Sequence, residues 1–236
     1  MSNYQRLEKL FMNNLELQQP PVAVAFLSAE LPGIPKFEGV QPSGCSFWKM
    51  AAEGRVFSTE AHDHYNCSIG SYTHNIALPE DRAKELDDTL QFMSSIGYLA
   101  MDEVPDIPRL PEIPAVVVYA PLGKTPVDPD IVLFWGPPGR VMILQEAAIR
   151  AGVPAQFTTL PRPTCMVLPA ALAHGTTAST GCVGNRVYTG LGDSDLYVAV
   201  PGKDVARIAE ETTVVRAANA TLMQYHQDRK QQLVRA

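Results

Sequence analysis

Ala115-Val-Val-Val-Tyr119 and Ile131-Val-Leu-Phe-Trp135-Gly-Pro-Pro-Gly-Arg140 are the stretches from which the fold is best read. Each apolar run is about five residues long, rich in β-branched side chains and bounded by turn formers, which predicts two short buried strands lying side by side. Gly136-Pro-Pro-Gly139 then opens a helix that runs to about Arg150 and stops at Gly152. Proline is tolerated in a first turn because its missing N–H has no partner there in any case. The unit is strand, tight turn, helix.

Working outward, Val22 to Phe26 and Leu196 to Val200 have the same short apolar character, Arg55 to Thr59 alternates weakly as a strand, and Cys165-Met-Val-Leu-Pro169 is a further buried run. Helical spacing of Leu7, Leu10, Phe11, Leu15 and Leu17 predicts an opening helix ended by Pro20-Pro21. A brief helix follows Gly44 as far as Gly54. From Pro79, acidic residues lead Ala83, Leu86, Leu90 and Met93 at three- and four-residue spacing, the pattern of an amphipathic helix. Two helical stretches close the chain, one capped near Asp204 and one over Val215 to Leu233. Strands separated by helices predict an α/β or α+β fold, a mixed sheet flanked by helices. The chain reads as a single domain over 1–236, with the proline-laden segment 104–114 as a connector between lobes 1–103 and 115–236.

The 236 residues are 46% hydrophobic and 19% charged, enough to bury a substantial core and incompatible with general disorder. A formal charge of −6 with acid and base interleaved argues against nucleic acid as a partner. No apolar run approaches the roughly 20 residues needed to cross a bilayer, and the start lacks a signal-peptide core, so a cytoplasmic, reducing location is expected. Cys45, Cys67, Cys165 and Cys182 should then be thiols.

Four thiols match the ligand number of a tetrahedral zinc site or a cubane iron–sulfur cluster. None lies in a C-x-x-C pair, so the fold would have to gather them from four separate loops, and packing thiols are the alternative use. His62 and His64, two residues apart beside Cys67, form a second metal-ligand pattern that Asp63 or His74 would complete; Tyr65 and His64 are equally suited to donating protons beside a redox centre. Ala178-Ser-Thr-Gly-Cys-Val-Gly-Asn-Arg186 is a glycine-spaced loop whose N–H groups would line an anion or the sulfides of a cluster, with Arg186 supplying positive charge. Gly136 to Arg140 offers a comparable anion site at a helix start. No nucleotide P-loop, G-x-S-x-G elbow or H-E-x-x-H is present.

Cys45-Ser-Phe-Trp-Lys-Met-Ala, Asp63-His-Tyr-Asn-Cys67-Ser-Ile-Gly70-Ser-Tyr-Thr-His74, Cys165 and Gly181-Cys182-Val-Gly-Asn-Arg186 together resemble the domain of unknown function 169 family, the uncharacterised ArCR family of archaea and bacteria. The likeness runs from about Leu7 to about Ile208. It implies a shared site built on the four cysteines rather than a particular reaction, and the family's occurrence in anaerobes is in keeping with an oxygen-sensitive thiolate centre. The expectation is therefore a cytoplasmic iron–sulfur protein, with a 4Fe–4S cluster on Cys45, Cys67, Cys165 and Cys182 and a pocket shaped by Gly181, Gly184 and Arg186. It would serve electron transfer or act as a redox accessory to a partner protein, or bind a small-molecule substrate at an open iron. Haem or zinc on His64 or His74 with Cys67 is the alternative cofactor. A metal-free protein that holds a small anion on Arg140 or Arg186 is the alternative function, and an assembly subunit with packing thiols is a third. Whether the protein is an enzyme is left open, as is a homo-oligomeric state.

Overall fold

The computed structural model describes residues 3–160 and 162–235. In chain order its elements are α1 (Asn3–Asn14), β1 (Val22–Leu27), α2 (Gly44–Ala52), β2 (Phe57–Glu60), α3 (Ser68–Thr73), α4 (Glu80–Ser95) and β3 (Val116–Pro121). They continue with β4 (Ile131–Gly136), α5 (Pro138–Arg150), β5 (Ala155–Leu160), α6 (Val167–His174), β6 (Thr176–Ser179), α7 (Val183–Thr189), β7 (Leu196–Pro201) and α8 (Val205–Arg235). The strands form one open sheet in the order β2-β3-β1-β4-β7-β6-β5. Every pairing is antiparallel except β5 with β6, so the sheet is mixed, and helices cover both faces in an α/β arrangement.

The two strands expected to be neighbours, β3 and β4, are separated by β1, which pairs antiparallel with both. The segment between them is long enough to arch over an intervening strand. Both of its ends are pinned to the β1 region, by Leu122 N–H to the Pro21 carbonyl and Asp130 N–H to the Val24 carbonyl. A strand that precedes the 104–114 segment is thus inserted between two strands that follow it. The connector after Val104 carries the buried Leu110, whose N–H bonds to the Thr73 carbonyl at 2.9 Å.

Because successive side chains on a strand point to opposite faces, the central strands feed two cores. Ala23, Val132, Phe134, Val198 and Val200 pack with α1, α5 and α8, where Phe11 meets Phe134 edge-on at 4.7 Å. Val22, Val24, Val117, Tyr119, Ile131, Leu133, Tyr197 and Ala199 pack on the other face with α2 and α6. All but Trp135 of the six β4 residues are buried, which explains why its sequence is a continuous apolar run rather than an alternation.

Two expectations about elements are corrected. Cys165 to Pro169 is not a strand but a 3₁₀ turn, Thr164–Met166, that runs into α6. Leu and Ala favour the helix, and Pro169 falls in its first turn, where no N–H is needed. The last two helical stretches are one helix, α8, because no Gly or Pro interrupts residues 205–235. The stretch after Cys67, despite Gly70, forms the short helix α3. The strands β5 and β6 and the short α7 had no clear signal. The β6 segment Thr-Thr-Ala-Ser is buried at all four positions through small, weakly apolar side chains.

Candidate thiol site

All four cysteines lie at the starts of helical segments on one face of the sheet. Cys45 occupies the first turn of α2, Cys67 is the N-cap of α3, Cys165 lies in the 3₁₀ turn ahead of α6, and Cys182 is the N-cap of α7. Helix α2 packs against α3, α7 and that 3₁₀ turn, which draws the four starts together. Backbone N–H groups at a helix start are unpaired and carry partial positive charge, so a thiolate placed there is stabilised. Cys45 and Cys165 are buried, Cys67 and Cys182 are partly exposed, and all four are free thiols.

The thiols act on one another electrostatically. Burial raises Cys45 well above its ordinary value, and the charges of Cys165, Cys67 and Cys182 oppose its ionisation further, while the Asn185 side chain favours it. Burial likewise raises Cys165, with Cys67 and Cys182 adding to the effect and Thr73 opposing it. Cys67 is raised by burial, partly offset by the backbone N–H groups of Gly44 and Gly70 and reinforced by Cys182. The charge of Cys182 therefore reaches each of the other three. Four segments spread over residues 45–182 thus bring their cysteines to one side of the sheet, around α2. Among the described residues, no group of three or more His, Cys, Asp or Glu side chains is arranged to hold a single metal ion.

The cluster is bordered by buried polar atoms that have no partner. Trp48 Nε1, His64 Nδ1, His74 Nε2, Tyr119 hydroxyl and Asn185 Oδ1 are of this kind, with Thr176 Oγ1 the remaining one among the described residues. The two histidines have defined tautomers. The Thr59 hydroxyl donates to the Val117 carbonyl at 3.3 Å, so His64 Nε2, 2.9 Å from that hydroxyl, is the proton donor. His74 Nδ1 donates to the Gly70 carbonyl at 2.8 Å. Each ring keeps one bare nitrogen, and the rings lie 5.4 Å apart. Burial holds His64 well below its ordinary value, and pulls His74 from 6.5 down to about 4, so both are neutral near pH 7. His64 Nδ1 faces Gly44: a Cβ added to that glycine would lie 3.9 Å away.

The remaining expected residues divide. Gly181 has φ +79°, and a Cβ there would fall 2.6 Å from Leu191 and 3.0 Å from Asn185 Oδ1, so the turn ahead of Cys182 requires glycine. Gly184 has no such requirement, since a Cβ there would make an ordinary 3.7 Å contact with Tyr188. Arg186 is spent on the local chain: it donates to the carbonyls of Thr180 and Gly192 and lies 3.5 Å from Asp193. Arg140 is paired with Glu16 at the start of α5, away from the cysteines. His62 is exposed beside Glu60 and Asp63, while His64 is buried, so a 3₁₀ turn at Ala61–His64 separates the two rings that an extended strand would have aligned. Sequence reading missed Tyr119, Tyr197, Thr73 and Thr164. Thr164 Oγ1 accepts the Cys182 N–H, and Asn185 Nδ2 donates to the Tyr197 hydroxyl at 3.4 Å. The alternation in Val117-Val118-Tyr119 puts Tyr119 on the opposite face from Val118, but nothing local says which face carries the thiols.

The open mixed sheet, flanked by helices and with a cysteine at the start of four helical segments, defines an α/β protein. The chain belongs to the domain of unknown function 169 family, described as uncharacterised ArCR, which it matches over residues 10–211, a span that includes all four cysteines. It is also similar to the uncharacterized protein MJ0308 of Methanocaldococcus jannaschii, with 26% identity over 216 residues, covering 86% of this chain and 90% of that protein. No solved structure matches it. No helix among the described residues is long and apolar enough to cross a membrane.

Proposed function

We propose that the four thiols hold an iron–sulfur cluster and that the protein serves as a redox or electron-transfer accessory in a reducing cytoplasm, exchanging electrons with a partner protein. The observation that carries this reading is the packing of α2 against α3, α7 and the Thr164–Met166 turn, which brings together four helix starts that each bear a cysteine, Cys45, Cys67, Cys165 and Cys182. The donor set is chemically suited: soft sulfur ligands, helix starts that favour thiolates, and an Asn185 amide and a Thr73 hydroxyl that stabilise charge on sulfur. Unpartnered buried atoms beside the thiols fit a site with an occupant, since each costs free energy when left unpaired. A lone zinc ion with Zn–S bonds of about 2.3 Å requires its thiolates to close on one point. A cluster brings iron and sulfide of its own and takes thiolates from further apart. The metal-free anion reading is disfavoured because Arg140 and Arg186 are already paired within the fold.

The cysteines would bind iron, and the bound group would supply one-electron chemistry. The chain's own contribution is to exclude water around Cys45 and Cys165 and to hold His64 and His74 neutral, each with one bare nitrogen.

The test is iron, acid-labile sulfide and the visible spectrum of the full chain purified without oxygen, followed by four single Cys→Ser variants. A cluster predicts iron with matching sulfide, and loss of the same broad absorption in all four variants. Four unequal outcomes, or protein free of iron, overturn the reading.

A further inference from the structure

Tyr119 lies on β3, the second strand from one edge of the sheet, on the same face as Cys45 and Cys165 and opposite Val24 of β1 and Phe57 of β2. Its ring packs against both Phe47 and Phe57, each 5.5 Å away at 28°, and those two rings lie 5.9 Å apart, so the three form a tight aromatic triangle. The residue is 0% exposed and its hydroxyl has no hydrogen-bond partner. It shares a packed cluster with Cys45 and Cys165, and the charges of Cys45, Cys67, Cys165 and Asp63 act on it. A phenol needed only for its bulk would be replaced at less cost by phenylalanine, because a buried hydroxyl without an acceptor costs about 1–3 kcal/mol.

We propose that the Tyr119 hydroxyl donates a hydrogen bond to a sulfur atom of the group bound by the four thiols and thereby raises its reduction potential. This rests on the iron–sulfur reading above. The direction follows from charge: reduction adds negative charge to the sulfurs, a donor stabilises the reduced form more than the oxidised one, and hydrogen bonds to sulfur are among the levers that set cluster potentials. Tyr119 is a tuning residue and makes no bond to iron.

The experiment is a redox titration of anaerobic wild type and Tyr119→Phe, followed by visible absorption, with thermal unfolding of both proteins after metal removal. The expected result is a more negative midpoint potential in Tyr119→Phe, together with a metal-free variant at least as stable as wild type, since an unpaired hydroxyl has been removed. An unchanged potential overturns the proposal while leaving the cluster in place. Wild type without iron overturns the cluster reading itself, and this proposal with it. A variant that loads incompletely is read on the loaded fraction, because the potential belongs to each cluster separately.

Discussion

Gly70 shows how closely single residues are set around the sulfurs. It stands in α3 with helical neighbours, where alanine is ordinarily favoured by about 1 kcal/mol. A Cβ there would fall 2.8 Å from Cys67 Sγ and 3.4 Å from its Cβ, so the sulfur has to move. If the proposed cluster is bound, Gly70→Ala is expected to leave the fold intact and to weaken iron binding about 10–100-fold, the range typical of disturbed ligand supports. Iron retention during dialysis against a chelator, with circular dichroism as the control for folding, reads this directly. Retention equal to wild type would show that Cys67 is not a ligand. His74 is constrained through the same glycine: its Nδ1 donates to the Gly70 carbonyl, so one residue positions both a sulfur and an imidazole.

Elements are tied by a few polar contacts across otherwise apolar seams. Asn14, at the end of α1, is buried and donates to Thr212 Oγ1 at 2.9 Å and Thr213 Oγ1 at 3.0 Å on α8. Asn14→Ala removes both bonds and leaves Thr212 without a donor, a loss of about 1–3 kcal/mol that urea unfolding would register. An unchanged midpoint would mean that the α1–α8 seam rests on its apolar contacts alone. Most of α8 that contributes to the core lies before Asn219, whose amide bonds Glu146 at 2.7 Å. From Ala220 to Val234 every residue is exposed, so the core-facing pattern fades in the half of the helix that the sequence marked most simply as helical. The helix at α4 was equally legible, yet only Leu90 of its sixteen residues is buried. Strong local periodicity identified these elements without saying how much of each the molecule uses.

For the whole molecule, concentrating thiols in one buried site makes stability depend on pH. Burial raises Cys45, Cys67 and Cys165 above the ordinary value of 9.0. Above that pH the unfolded chain releases protons that the folded chain retains, so the unfolded state binds fewer protons and stability falls as pH rises. The contribution is fully present below pH 9 and is lost progressively above it, joined by Tyr119 above its ordinary value of 10.0. Metal-free protein in reductant should show a falling urea midpoint between pH 8 and pH 10, and a flat midpoint would refute the burial of these thiols. The sequence by itself determined the short buried strands, the helices at α1, α4 and α5, and the mixed sheet flanked by helices, because these follow from periodicity and turn chemistry within about fifteen residues. It also identified the cysteines, since residue type is legible wherever the residue lies. Only the tertiary structure decided that β1 separates β3 from β4, that Cys165 opens a helix, and that four helix starts meet on the Tyr119 face of the sheet. Those outcomes depend on strand order and on which face each helix covers, and both are settled by contacts between segments tens of residues apart, which leave no local pattern in the chain.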